Sequence, residues 1–315
     1  MDTNIFRTVF KPQEEKNQLS YDSKTILFGS CFSENIGEKL SYYKFDCFTN
    51  PYGILFNPIA IKNAISEIVE KKIYCEDDIF QYNDLWHSFQ HHSCFSTPNK
   101  NAGLKKINES IQTAHSTLKN ASHIIITLGT SWVYENKETE TIVANCHKVP
   151  QKSFNKKLLS VSEITSTLDS IEKSIHKINS NATLIYTVSP VRHLKDGMIE
   201  NALSKANLLA AIHQKLTKNT YYFPSFEIIM DDLRDYRFYE KDMLHPNEIA
   251  IDYIWEIFAQ TWITKESAPI LKEVDTIQKG LSHKPFNEHS EAHQNFLKNL
   301  NKKIEVLKKS QNINF

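Results

Sequence analysis

Three side chains in this sequence have the types and order of a nucleophile and its proton relay. The first is Ser30, in the stretch ILFGSCFSENIGEKL at 26–40, where an apolar run ends at Gly29 and passes directly into a helical pattern. A serine just past a strand's C-terminal end stands at the rim where open α/β sheets bind ligands. The helix behind it offers free N–H groups and the positive end of its dipole to a developing oxyanion. The same stretch also suits a plain helix cap by Ser30 or Ser33, with Ser33 as N-cap and Ile36 and Leu40 on the buried face. The other two residues are Asp242 and His245, in YEKDMLHPNEIAIDYIWEIF, a DxxH loop that opens an amphipathic helix. There the carboxylate can hold the imidazole Nδ1–H and leave Nε2 free to take a proton from a serine. The bland reading of that pair is a loop carboxylate beside an exposed histidine.

The elements needed to position these groups are legible. Strand candidates are Thr25–Gly29, Ser122–Leu128, Ala182–Val188 and Tyr221–Pro224. They alternate with helical patterns at Ser33–Tyr43, Pro58–Lys71, Leu104–Lys119, Ser162–Ile178, Ile199–Leu216 and Pro246–Trp262. Such alternation predicts an α/β fold with a central parallel sheet and crossover helices. Pro58 and Pro246 each sit where the first helical residue would be, a place proline tolerates. The predicted organisation is a domain over 1–263, with an aromatic and histidine-rich insertion at about 73–103, and a helical tail over 264–315. In the tail, Phe296, Leu300, Ile304 and Leu307 recur at helical spacing, so it packs on the domain or on a partner, the latter giving a homo-oligomer.

Composition narrows the function classes. Lys+Arg 37 balances Asp+Glu 37, which removes the bulk electrostatic case for nucleic acid or an anionic membrane. The opening MDTNIFRTVFKPQEEKN has no apolar h-region and no later window reaches the length of a membrane span, so a cytoplasmic protein is expected. Five cysteines without a CxxC pair predict reduced thiols. No cofactor is expected.

The segments GSCFS at 29–33, NPYGILFNP at 50–58, TLGTSWVY at 127–134 and DMLHPN at 242–247 resemble the GSCFA family, a branch similar to the SGNH/GDSL esterases. The resemblance runs in order from about Ser20 to Trp262 and leaves the tail uncovered. It implies a three-layer α/β/α sandwich, Ser30 as nucleophile, and Asp242 with His245 as the acid–base pair. It also implies an oxyanion hole built from the backbone N–H groups of Ser30 and Gly53. SGNH enzymes carry Gly-x-Asn in their third block, whereas this chain has Gly129-Thr130-Ser131, so the asparagine amide is missing. A hydroxyl of Ser131 or Thr130 is the expected substitute; losing one preorganised donor costs about 10²–10³ in rate.

Other groups compete for a role. LWHSFQHHSCF supplies His87, His91 and His92 next to Trp86, and NCHKVP supplies His147. His87 and His91 would share a helix face, as zinc-binding pairs do, but no HExxH or paired Cys/His spacing occurs. These residues, with Trp132 and Arg192, are expected to line a pocket for a small-molecule or carbohydrate ester; a packed insertion with solvated histidines is the alternative. Arg192 could instead pair with Asp231, Asp232 or Asp235 to brace loops. Cys31 is expected to pack behind the helix. Three functions remain: a serine esterase or acyltransferase, a non-catalytic binding module, or a metal-dependent hydrolase on His87, His91, His92 and His147.

Overall fold

The computed structural model describes residues 8–311 and 313–315. The opening segment read above for a leader includes residues 1–7, which lie outside the described residues. The strands are β1 (Lys24–Gly29), β2 (Asp46–Thr49), β3 (Phe80–Tyr82), β4 (Leu85–His87) and β5 (His123–Leu128). They continue as β6 (Trp132–Asn136), β7 (Thr141–Val143), β8 (Phe154–Leu158), β9 (Thr183–Val188) and β10 (Thr220–Tyr222). The helices are α1 (Cys31–Tyr42), α2 (Pro58–Glu70), α3 (Lys100–Asn120), α4 (Val161–His176) and α5 (Met198–His213). They are followed by the short α6 (Ser225–Glu227), which runs into a π-helical turn at Ile228–Leu233, and by α7 (Glu248–Trp262), α8 (Ala268–Ser282) and α9 (Glu291–Gln311).

The central sheet is parallel, in the order β10-β9-β5-β1-β2. Strand alternation sends successive side chains to opposite faces. Ile26, Phe28, Ile124 and Ile126 pack with residues of α2 and α3, such as Ile65 and Ile111. Leu27, Ile125 and Ile185 pack on the other face, with Phe32, Ile36 and Leu40 of α1 and Ile254, Phe258 and Trp262 of α7. Burying one side chain of this size contributes roughly 1.5–3 kcal/mol. The result is an α/β/α sandwich. The chain leaves β1 toward β2 on one side and later returns to β5 on the other. Open α/β sheets usually take ligands in the crevice outside the C-terminal ends of the strands where the chain reverses, here β1 and β5.

Several elements go beyond the expected strands. The edge strand β2 pairs with β1 from Lys24↔Asp46 to Leu27↔Thr49. An antiparallel sheet β7-β6-β8 follows β5, and the insertion carries the antiparallel pair β3-β4. Pro58 does begin α2, behind Asn57, whose Oδ1 accepts the Ala60 N–H at 2.8 Å. Pro246 does not begin α7: Asn247 is the cap, accepting the Ala250 N–H at 3.1 Å, so the proline precedes the cap.

The C-terminal region is helical. Val274 and Ile277 of α8 bury against Leu300 and Leu307 of α9 and against Ile313. Tyr42 donates to Asp275 at 3.0 Å, and Gln278 donates to the Tyr42 carbonyl at 2.8 Å, fastening α8 to α1. The periodic apolar face of the tail is therefore covered largely within the chain. Among the described residues no helix is long and apolar enough to cross a membrane.

Candidate active site

β1 ends at Gly29, whose φ of +135° suits glycine, and a Cβ there would lie 2.1 Å from the Thr127 carbonyl oxygen of β5. Its N–H donates to Asn50 Oδ1 at 2.9 Å, and its carbonyl accepts the Leu55 N–H at 2.9 Å. The next residue, Ser30, has extended backbone (φ −71°, ψ 177°) and caps α1, its Oγ accepting the Phe32 N–H at 3.3 Å. Ser30 is fully buried, at 0% exposure. The cap is thus Ser30 and not Ser33. Ser33 lies inside α1, where its Oγ bridges the Phe28 carbonyl (2.9 Å) and the Thr127 hydroxyl (2.7 Å). Cys31 is half-buried, and burial pushes its thiol up, which keeps it an inert neighbour.

The DxxH loop is a self-contained clasp. Asp242 Oδ1 accepts the Leu244 N–H (2.8 Å) and the His245 N–H (3.0 Å), while Oδ2 receives the His245 Nδ1–H at 2.6 Å. Those backbone donors, then the imidazole, hold the Asp242 carboxyl down to about 2. Left-handed Met243 (φ 60°) closes the turn, and Glu240 N–H donates to the His245 carbonyl at 2.7 Å. Both side chains of the pair are about half exposed, at 46% and 47%. Arg192 N–H donates to the Leu244 carbonyl at 3.3 Å, tying the clasp to the loop after β9 at the C-terminal rim of the sheet. No hydrogen bond joins His245 Nε2 to Ser30 among the described residues.

The expected oxyanion donors are otherwise engaged. Ser30 N–H donates to the Thr127 carbonyl at 3.2 Å, and Gly53 N–H to the Asn50 carbonyl at 2.7 Å. Gly53 is required as glycine there, with φ +72° and a virtual Cβ 2.4 Å from His92 Cβ. The Ser131 and Thr130 hydroxyls turn to α5 instead of the crevice. Ser131 Oγ donates to the Ser204 carbonyl at 3.1 Å, and Thr130 Oγ1 meets Ser204 Oγ at 3.0 Å. The post-β5 loop therefore uses its hydroxyls to seat α5, which corrects the expectation that they replace the missing amide.

His193, which the sequence also puts at the sheet's C-terminal edge, completes the rim together with Asn50 and Lys205. Asn50 Nδ2 and His193 Nε2 are buried without hydrogen-bond partners. His193 stands edge-on to Phe56, with ring centroids 5.3 Å apart, and a Cβ on Gly129 would come within 3.3 Å of its Nε2. Burial, reinforced by the positive charges of Lys205 and His245, lowers the His193 imidazole to about 3. Lys205 of α5 is 1% exposed and donates to the Gly129 and Ser189 carbonyls, at 2.7 Å each, joining the ends of β5 and β9. Burial brings its ammonium down to about 7. Its signal in sequence is a lysine on the same helical stripe as Asn201, Leu208 and Ile212.

The histidine cluster is a packed core, not a ligand set. His87 places Nδ1 on Ser96 Oγ (2.7 Å) and Nε2 on the Tyr82 carbonyl (2.9 Å). His91, fully buried, sits 3.0 Å from Ser88 Oγ and stacks on Tyr52 with centroids 4.1 Å apart. His147 Nε2 contacts the Ser88 carbonyl at 2.8 Å. Among the described residues no group of three or more His, Cys, Asp and Glu side chains is arranged to hold a metal ion. His92 accepts the Cys94 N–H at 3.4 Å beside Gly53. Trp86 and Trp132 each lie under a lysine ammonium, Lys100 at 4.8 Å and Lys156 at 4.4 Å. Arg192 lies over Tyr239 at 6.0 Å and donates to the Met230 sulfur at 3.4 Å, so it braces the loop through aromatic and sulfur contacts. In the same region Arg237 pairs with Asp235 at 3.0 Å.

No curated protein matches the chain. Among solved structures it is similar to an acetyl xylan esterase from the rumen bacterium Butyrivibrio proteoclasticus, at 12% identity and a TM-score of 0.36. That match covers 84% of this chain, which spans only 65% of the esterase chain. The profile of the GSCFA domain protein C-terminal domain matches residues 274–315, and that of the GSCFA family matches residues 24–258. The chain belongs to the GSCFA family.

Proposed function

We propose that this chain is a serine hydrolase acting on a small carboxylic ester, with O-acetyl groups on a carbohydrate as the substrate class to test first. The observation that carries this reading is the Asp242–His245 clasp. A carboxylate fixed by backbone N–H groups grips Nδ1 at 2.6 Å and so dictates the tautomer that presents Nε2 as a base. Ser30 Oγ attacks the ester carbonyl carbon while His245 Nε2 takes its proton. The tetrahedral oxyanion collapses, the C–O bond to the alcohol breaks, and the alcohol leaves with the proton from His245. Water then repeats the sequence on the acyl-serine and releases the carboxylic acid.

Ser30 is covered in the state described, so turnover requires the rim to open and Oγ to leave the Phe32 N–H. A 3.3 Å cap bond is a weak restraint, on the order of 1 kcal/mol. Trp86, His92, Trp132 and Arg192 are the partly exposed members of the expected pocket set and are left to contact substrate. Burial and capping of Ser30 favour one second reading, a ligand-binding protein without turnover. Hydrolysis of p-nitrophenyl acetate by the full chain separates the two. The hydrolase reading expects measurable turnover that falls at least 10³-fold in Ser30→Ala; equal rates for the two proteins would leave only binding.

A further inference from the structure

We propose that the side-chain amide of Asn50 is the oxyanion donor of this site, in place of the asparagine absent from the loop after β5. The inference rests on the ester-hydrolase reading above. Asn50 follows β2 in the left-handed region, with φ 49°. Its own N–H donates to the Leu27 carbonyl at 2.9 Å, and its carbonyl accepts the Gly53 N–H at 2.7 Å. Oδ1 accepts the Gly29 N–H at 2.9 Å, which identifies the other amide atom as nitrogen. Backbone and side-chain oxygen are thereby committed, and the residue is 8% exposed. Nδ2 alone is left, buried and unpartnered.

An unpaired buried amide costs folding free energy, and such a group in a native structure calls for an explanation. Here the amide is anchored on the residue directly preceding Ser30, at the C-terminal end of the strand that carries the nucleophile. The other expected donors have partners: Ser30 N–H donates to Thr127, Gly53 N–H to Asn50 itself and the Ser131 hydroxyl to the Ser204 carbonyl, while the Thr130 hydroxyl lies 3.0 Å from Ser204 Oγ. A donor held rigid through its own oxygen needs no reorganisation when negative charge develops on the substrate oxygen, and it stays idle in the ground state. The left-handed backbone at position 50 turns the chain into Pro51-Tyr52-Gly53 while keeping the amide beside Gly29.

The test compares two variants of the full chain in p-nitrophenyl acetate hydrolysis. Asn50→Asp keeps an acceptor for the Gly29 N–H but loses the donor; Asn50→Gly keeps the left-handed backbone but loses the whole amide. Circular dichroism and thermal melting establish which variants fold; if the aspartate does not fold, the glycine variant carries the test. A folded variant is expected to lose about 10²–10³ in kcat with KM within about threefold of the parent. A folded variant that keeps kcat within about threefold, or whose loss lies entirely in KM, overturns the assignment. Absence of Ser30-dependent turnover in the parent protein overturns the hydrolase reading and this assignment with it. Turnover that survives in both folded Asn50 variants overturns this assignment alone.

Discussion

The histidine-rich insertion and the DxxH loop both set imidazole against polar partners, and they differ in what those partners are. In the insertion, His87 commits both ring nitrogens to Ser96 and Tyr82 and His91 is buried against Ser88 and aromatic faces, joined by His147 from the loop after β7. Burial lowers His91 to about 3 and His147 to about 4, so these rings are neutral fillers. In the DxxH loop, the partner of His245 is a carboxylate, the ring is half exposed and Nε2 is free of hydrogen bonds among the described residues. A histidine does proton chemistry when one nitrogen is oriented by a charge and the other faces reactants. Proximity of several imidazoles alone does not confer it.

The largest expected effect falls on the clasp. Asp242→Asn retains the size of the carboxylate but no longer dictates the tautomer, and kcat for p-nitrophenyl acetate is expected to fall by about 10⁴. A fall below tenfold would place His245 on a level with the insertion histidines. The next effect concerns Lys205, which bridges the strand ends at the rim. The unfolded chain keeps this proton up to its ordinary pKa near 10.4, whereas the fold releases it at about 7. Between those values the unfolded state holds the extra proton, so its contribution to stability rises with pH and is flat below about 7. From pH 7.5 to 9.5 the parent should gain roughly 3 kcal/mol relative to Lys205→Met, measured by urea unfolding. Parallel pH profiles for the two proteins would refute a neutral lysine in the core.

The smallest effect belongs to the insertion. His91 is neutral in the fold down to about pH 3, while the unfolded residue titrates near 6.5. Its contribution is fully present above about pH 6.5 and is lost as pH falls from there toward 3. Between pH 7 and 5 this amounts to about 2 kcal/mol, and His91→Phe should flatten the acid side of the stability profile by that amount. Esterase activity at pH 7 in that variant should follow the folded fraction, because the contacts of His91 are to Tyr52, Tyr74, Phe95 and Ser88 of the packed core.

What could be read in advance follows from how far each signal reaches along the chain. β1, β5 and β9 are continuous apolar runs and were legible as strands; Asp46–Thr49 is a four-residue edge strand and Phe154–Leu158 is largely polar, so neither announces itself. Ser30, Asp242 and His245 were visible because their local patterns, a strand–glycine–serine turn and a DxxH loop, are short. The ring partners of His87 and His91 were not, since a four-residue spacing says nothing about carbonyls at Tyr82 or a hydroxyl at Ser88. Asn50 stood in plain view within NPYG, yet its meaning depends on Gly29, twenty-one positions away, and on donors that turn out to be occupied. Lys205 was hidden for a similar reason: the carbonyls that hold it belong to the ends of β5 and β9.

A fluorophosphonate probe tests the central claim most directly, because it reacts only with a serine whose proton has a base to receive it. With the full chain at neutral pH, peptide mass spectrometry should find one phosphonyl adduct, on Ser30, and His245→Ala should abolish it. A folded protein that stays unlabelled, or that carries the adduct on another residue, would contradict the account.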